Sequence, residues 1–396
     1  MEYKIKSNES VDAYRIRLCK NKDLYDLRWK DLPPLWFEAT GENKSPDWFR
    51  KFWRFYSEGY QDATTDNSDV SEQLLELEDK IVEFEQMKIR YADRKREYFK
   101  PNRVEARMKE YFEVATEEIK KLNHTKPLSW VDRTFVNDST KEGLLLISDT
   151  HYGMFAKNYW NDFNNEEFKR RMKKLITRTV SHSQLHKVKV MNVFLLGDLI
   201  NGLIHLITRI NNTEDAVTQT IQVSDILSEV LAELCNEFEE VKVYNVRGNH
   251  DRVTANKKDE IAKESFNDFI PHFLKLRLSH VKNITFMENK YDDEIIVTDI
   301  LGHTIFGVHG HKDKIKNVNH DISQMTKTFA EYIVMGHYHH HEENEDHGVE
   351  IIINRSFSGV DEFAKDIRRT SKCAQKLIIF DEDEGRLATY DIKLHN

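Results

Sequence analysis

The sequence predicts an α/β protein, with sheets layered against helices, preceded by an all-α N-terminal region. Three observations carry this prediction. First, five apolar runs each end in a short polar block: Leu144-Leu145-Leu146-Ile147 before Ser148-Asp149-Thr150-His151, Val193-Phe194-Leu195-Leu196 before Gly197-Asp198, Val246 before Arg247-Gly248-Asn249-His250-Asp251, Val308 before His309-Gly310-His311, and Val334-Met335 before Gly336-His337-Tyr338-His339. Each reads as a buried strand with polar side chains at its end. Second, amphipathic helical segments over 164–186 and 214–238 separate the first three runs, the alternation of a layered α/β domain. Third, the chain ahead of residue 125 carries helical spacing instead. Only 14 glycines and 6 prolines punctuate 396 residues, so ordered elements are expected throughout.

Residues 1–65 are expected to form a small helical domain. Trp29, Leu32, Leu35 and Trp36 precede a Thr40-Gly41 break, and Ser45-Pro46-Asp47 opens a second helix. Ser45 suits an N-cap and Pro46 the first turn, where its missing N–H costs nothing. The second helix carries Arg50, Lys51 and Arg54 among aromatics, a helix-turn-helix-like arrangement in which those cations would face a nucleic-acid groove. The alternative is a docking domain whose charges only solvate one face.

Residues 66–125 read as a charged helical region. Val70, Leu74, Leu75, Leu77, Ile81, Val82 and Phe84 form an apolar stripe, suited to a coiled-coil seam or to packing on the chain itself. The seam reading predicts a homo-oligomer, with a dimer favoured. Pro101 is expected to divide the region into two helices. From Lys88 to Lys109, nine basic residues face three acidic ones, a local excess of six positive charges that suits contact with a phosphate backbone. Residues 140–396 hold the layered domain. After the third block a helix is expected beyond Asp259, then strands near 283–287, 294–299, 304–308, 331–335, 349–353, 376–380 and 387–393.

Composition narrows the function. Fifty-nine basic against 68 acidic residues give a net charge of −9, so the whole chain is no generic polyanion binder and any nucleic-acid surface must be local. Cys19, Cys235 and Cys373 lie far apart without a CxxC spacing, which excludes a disulfide framework and a thiolate zinc site and suits a reducing compartment. No leader-like or membrane-spanning apolar run is present, so no membrane partner is expected and the cytoplasm of a bacterial or phage-infected cell is the expected location. Carboxylate, amide and imidazole groups gathered at strand ends describe a site for two divalent ions, ~3.5–4 Å apart in such centres, that clamp a phosphoryl group. Asp198, after a glycine, suits the shared ligand. Asn249 donates an oxygen without charge that would repel a phosphate.

The ordered series Asp149-x-His151, Gly197-Asp198, Gly248-Asn249-His250-Asp251, His309 and Gly336-His337-x-His339 resembles the calcineurin-like metallophosphoesterase superfamily over roughly residues 140–393. That resemblance implies a metallophosphoesterase-type layered β-sandwich flanked by helices. It implies that Asp149, His151, Asp198 and His339 bind one metal and that Asp198, Asn249, His309 and His337 bind the other. Manganese is the expected ion, with zinc or iron also compatible with the donors. It further implies attack by a metal-bridging hydroxide, with His250 assisting the leaving oxygen and Asp251 orienting or tuning its imidazole. His311, His340 and His341 are read as surface or supporting groups. His205 and Arg209 are candidate contacts for a substrate phosphate.

The resemblance leaves the substrate open. The second block lacks the arginine of the protein-phosphatase signature, which counts against phosphoproteins. The Gly-Asn-His-Asp form is similar to the SbcD-type DNA-repair nucleases, but Asn201 stands where those enzymes carry a histidine, and the residues after His339 read as core strands, not a DNA-binding cap. The layout of helical module, charged helices and catalytic domain resembles phosphoesterases of phages and prophages. The expected activity is therefore hydrolysis of phosphodiester bonds, with DNA as substrate. The alternatives are a phosphatase or phosphodiesterase for nucleotides or other small phosphoesters, and a non-enzymatic DNA-binding or assembly protein.

Overall fold

The computed structural model describes residues 3–63, 80–91, some positions between 109 and 121, 125–133, 139–204, 206–255, 257 and 264–395. The chain divides into two compact units, Met1–Ala106 and Arg107–Asn396.

In the first unit three helices, α1 (Val11–Lys20), α2 (Leu32–Thr40) and α3 (Pro46–Ala63), enclose an aromatic core. Tyr14 stacks on Trp36 with ring centroids 6.1 Å apart, and Phe49 meets Trp36 edge-on at 5.8 Å. Leu18, Cys19 and Leu32 complete the buried set. The punctuation follows the sequence. Gly41 closes α2 in the left-handed conformation (φ 74°), and Ser45 Oγ accepts the Trp48 N–H at 3.3 Å to cap α3. Residues 80–91 are helical. Val70, Leu74, Leu75, Leu77, Pro101 and most of the basic run lie outside the described residues.

The second unit is a two-sheet sandwich with helices on both outer faces. One sheet has the order β13-β12-β1-β4-β5-β6 and the other β10-β11-β9-β8-β7. The first contains β1 (Glu142–Ile147), β4 (Val190–Leu195), β5 (Glu240–Asn245), β6 (Ile284–Phe286), β12 (Ala374–Asp381) and β13 (Gly385–Lys393). The second contains β7 (Ile295–Ile300), β8 (His303–Val308), β9 (Tyr332–Met335), β10 (Glu342–Asp346) and β11 (Val349–Ile353). Period-2 alternation splits β1 between two cores. Leu144 and Leu146 join Phe194, Ile305, Val334, Ile352 and Phe380 between the sheets, while Leu145 and Ile147 face the helices Asn165–Leu185 and Ala216–Glu237. Helix Val318–Thr326 covers the far face of the second sheet through Val318 and Ile322. The three cysteines are buried and free.

Most expected elements stand within a residue or two of their positions. Elements not foreseen include helices Val11–Lys20, Val318–Thr326 and Glu362–Asp366, the acidic edge strand β10, and a short hairpin of β2 (Ala156–Lys157) and β3 (Asp162–Phe163). The helix expected after Asp259 is observed at Phe269–Arg277.

Candidate metal centre

Strand register gathers the site. Strands β1, β4 and β5 run parallel, with Ile147 beside Leu195 and Leu195 beside Asn245. Asp149, Asp198 and Asn249 therefore leave the sheet side by side, two to four residues past the last pairs. In the other sheet β8 and β9 are parallel with Val308 beside Met335, so His309, His337 and His339 emerge together. Ligands of open α/β sheets sit in the crevice beyond such carboxyl ends. Here the two sheets offer one crevice from both sides.

The backbone turns sharply to aim these side chains. Asp149 (φ 52°), His151 (φ 45°), Asp198 (φ 52°), His337 (φ 64°) and His339 (φ 58°) all occupy the left-handed region, which costs a non-glycine residue ~1–2 kcal/mol each. Five of the seven expected metal ligands share this strain, so the fold holds them against their local preference. Gly248 permits the close approach: a Cβ there would strike the Asp198 main chain and carboxylate.

The donor atoms form linked groups. Asp149, His151 and His339 converge within 4.8 Å, as do Asp198, His309 and His337, and Asp198 also joins His151 and His250. His339 Nε2 lies 3.1 Å from Asp149 Oδ1 and 3.4 Å from His151 Nε2. His309 Nε2 lies 3.1 Å from both Asp198 Oδ2 and Asn249 Oδ1. On its other side, His309 Nδ1–H donates to the Leu196 carbonyl at 2.7 Å, which leaves the Nε2 lone pair for the crevice. Asp198 links the two groups, as a shared ligand must.

The electrostatics are those of a cation site. Burial would depress the His309 imidazole, yet the charges of Asp198 and Asp149 carry it up to about 10. Burial would raise the Asp149 carboxyl, but the charge and hydrogen bond of His339 bring it down to about 2. His337 is pushed down to about 4 by burial and by His309. Carboxylate oxygens, an amide oxygen and imidazole nitrogens thus face one another in a buried space whose field holds a proton on His309, which a cation would displace. This donor set fits two divalent ions.

His250 stands beside the centre with its Nε2 4.0 Å from Asp198 Oδ2. Its Nδ1–H donates to the Asn201 carbonyl at 2.8 Å, and its own N–H donates to Asp198 Oδ1 at 2.7 Å. Asn201 thus takes the orienting task expected of Asp251. Asp251 is fully buried, and its Oδ2 accepts the N–H groups of Gly248 at 2.6 Å and Asp198 at 3.3 Å, so it braces the turns that carry the ligands. Burial and the Asp198 charge push its carboxyl up to about 7. The Asn201 side chain reaches Asn212 at 2.7 Å and pins the following loop. Arg209 is exposed on the short helix Leu206–Ile210 of that loop, and His205 lies outside the described residues. His311 is largely buried with its ring 5.4 Å from that of His309.

Sequence reasoning missed a supporting layer. The Asp149 carbonyl accepts the Ser358 N–H at 3.2 Å. Buried Arg171 donates to the carbonyls of Phe357 (3.1 Å) and Ser358 (2.8 Å), to Asn161 Oδ1 (2.9 Å) and to Glu167 (2.7 Å). An arginine on the apolar face of a predicted helix was the available signal.

Residues 143–355 match the calcineurin-like phosphoesterase superfamily domain. The chain belongs to this superfamily. Membership brings phosphoesterase chemistry and the use of divalent metals, which the two donor groups can hold. Residues 1–68 match the YonJ N-terminal domain. The SPbeta prophage-derived uncharacterized protein YonJ of Bacillus subtilis (strain 168) is 28% identical over 400 residues, spanning 98% of both chains. Among solved structures, an archaeal phosphodiesterase is 11% identical with a TM-score of 0.33, matching 63% of this chain and 99% of its own. Zinc-complexed Vps29 of Entamoeba histolytica is 12% identical with a TM-score of 0.30, over 63% and 99%.

Proposed function

We propose that this phosphoesterase hydrolyses phosphodiester bonds of DNA with two divalent ions, manganese favoured, in the cytoplasm of a bacterial or phage-infected cell. The observation that carries the two-metal reading is Asp198 joined to both donor groups. Asp149, His151, Asp198 and His339 would hold one ion, and Asp198, Asn249, His309 and His337 the other. When bound, such ions polarise phosphoryl oxygens and lower the pKa of water. Asn249 keeps the anionic count low where a phosphate must enter. The Asn201 carbonyl accepts the His250 Nδ1–H and so fixes the ring with Nε2 as the atom from which a proton would be offered to the leaving oxygen. Asp251 holds the Gly248 and Asp198 turns in register.

What supports DNA is two local groups of cations in an N-terminal unit that is otherwise balanced in charge. Arg50, Lys51 and Arg54 are exposed on α3, with Arg50 paired to Asp47 at 2.8 Å. The basic run from Lys88 is the other group. The test is hydrolysis of single-stranded DNA, duplex DNA and a small phosphodiester with Mn²⁺, beside Asp198→Ala. Wild type is expected to cut DNA, with the variant reduced at least a thousandfold. Turnover of the small ester alone, with both DNAs intact, overturns the DNA reading in favour of a small-phosphoester enzyme.

A further inference from the structure

A second feature adjoins the metal centre without containing any of its ligands. A cavity of about 1170 Å³ is lined by Trp160, His340, Arg355, Gly359 and Lys372, among others. His340 follows His339, and Gly359 follows Ser358, whose N–H bonds the Asp149 carbonyl. The lining therefore comes within one residue of His339 and, at Gly359, within one residue of the serine bonded to the Asp149 main chain. Its volume exceeds the roughly 300–1,000 Å³ of small-ligand pockets, which suits a run of several linked units better than one small molecule.

The hairpin of β2 and β3 forms one wall. Its tip carries Tyr159, 93% exposed, and Trp160, 54% exposed, with ring centroids 5.6 Å apart. Exposed rings normally accompany a loose loop, but this tip is fastened. Asn161 Nδ2 donates to the carbonyls of Ser358 (2.8 Å) and Val360 (3.0 Å), and Asn158 Oδ1 accepts the N–H groups of Trp160 and Asn161, each at 3.0 Å. Arg171 holds Asn161 from beneath. The fold thus holds the base of the two rings firmly while leaving their faces to solvent. Thr370, Ser371 and Lys372 also line the cavity, and Arg368 and Arg369 are exposed just before them in the chain, outside the lining. None of these three cations has a carboxylate partner among the described residues. Of the acids on the lining, Glu167 is paired with Arg170 and Arg171 and Glu166 with Lys169, which leaves Asp162, while Asp361 and Asp366 precede the two arginines on the segment outside the lining.

We propose that this cavity binds a single-stranded polynucleotide and feeds it to the metal centre, with bases stacking on Tyr159 and Trp160 and backbone phosphates facing Arg368, Arg369 and Lys372. Aromatic faces beside a cationic wall are the means by which unpaired strands are held without sequence preference, because every base has a π-face and every linkage a charge. A duplex hides its base faces and cannot use the rings. The inference rests on the proposed phosphodiesterase activity and adds its preferred form of substrate.

The test uses the full chain and the double variant Tyr159→Ala/Trp160→Ala, whose exposed rings contribute little to folding. One readout is anisotropy of a labelled oligothymidylate in EDTA, and the other is Mn²⁺-dependent turnover of that oligomer and of thymidine 5′-(p-nitrophenyl phosphate). The expected result is at least tenfold weaker oligomer binding, a matching loss in oligomer kcat/KM, and unchanged turnover of the small ester. Phe329→Ala, which removes another exposed ring (83%), is expected to change neither. Unaltered oligomer binding and turnover in the double variant overturn the inference while leaving the phosphodiesterase reading intact. A wild type that turns over the small ester but binds and cuts no oligomer overturns both.

Discussion

His250 and the metal ligands can be separated experimentally because their hydrogen bonds serve different ends. The imidazole is oriented by the Asn201 carbonyl, whereas its main-chain N–H steadies Asp198. A side-chain change should therefore spare the metals. His250→Gln is expected to retain the wild-type metal content and to lose ~10²–10⁴-fold in kcat on DNA, whose alkoxide leaving group needs a proton. On a p-nitrophenyl ester, whose leaving group needs none, the loss should be much smaller. Equal losses on both substrates would show that His250 acts otherwise. At this scale the sequence was most legible. The seven ligand candidates were named from short blocks, and register then placed them at one crevice. Asn201 was read as a departure from a pattern, but its carbonyl is what orients His250, and no side-chain signal reports a main-chain contact. Asp251 looked like a partner of its neighbour His250; burial and two main-chain N–H groups turn it inward.

Among elements, the join between helix Asn165–Leu185, the β2–β3 hairpin and the loop at 355–361 decides how firmly the site is backed. Arg171 makes that join with a side chain only 4% exposed. Arg171→Met would leave the Phe357 and Ser358 carbonyls and Asn161 short of a donor, and Glu167 short of a partner. It is expected to cost about 3–5 kcal/mol in urea unfolding, and a value below 1 would contradict the join. Burial would raise the Glu167 carboxyl, but hydrogen bonds from Arg170 and Arg171 hold it below its ordinary 4.5. A depressed carboxylate contributes stability that is fully present above its unfolded pKa and is lost as pH falls through the folded one. Unfolding curves should therefore fall off less steeply below pH 4.5 in Glu167→Gln than in wild type. The missed strands share a cause. Strand β10 reads Glu-Glu-Asn-Glu-Asp and forms only because it pairs along β11 at a sheet edge, where charge is tolerated. The β2–β3 hairpin has two residues per strand, too few for a period to register. Tertiary pairing, not local preference, makes both.

The whole molecule joins a phosphoesterase unit to a helical one, and the proposed self-association rests on the second. In the helix at residues 80–91, Ile81, Val82, Phe84, Met87, Ile89 and Tyr91 are each about half exposed or more. Such a row on one helix suits a partner helix, and a second copy of this chain supplies one with the same stripe. Light scattering is expected to return a dimer for wild type and a monomer for Ile81→Lys/Phe84→Lys. A monomeric wild type would instead mean that the stripe packs within its own chain. Among the described residues no helix is long and apolar enough to cross a membrane. The central proposal is that one aspartate, Asp198, is shared between two ions, and counting bound metal tests that directly. Equilibrium dialysis of the full chain against Mn²⁺ should return two ions per chain, falling to none or one weakly held in Asp198→Ala with the fold intact by circular dichroism. A wild type that saturates at a single ion, or an Asp198→Ala variant that still holds two, would contradict the account.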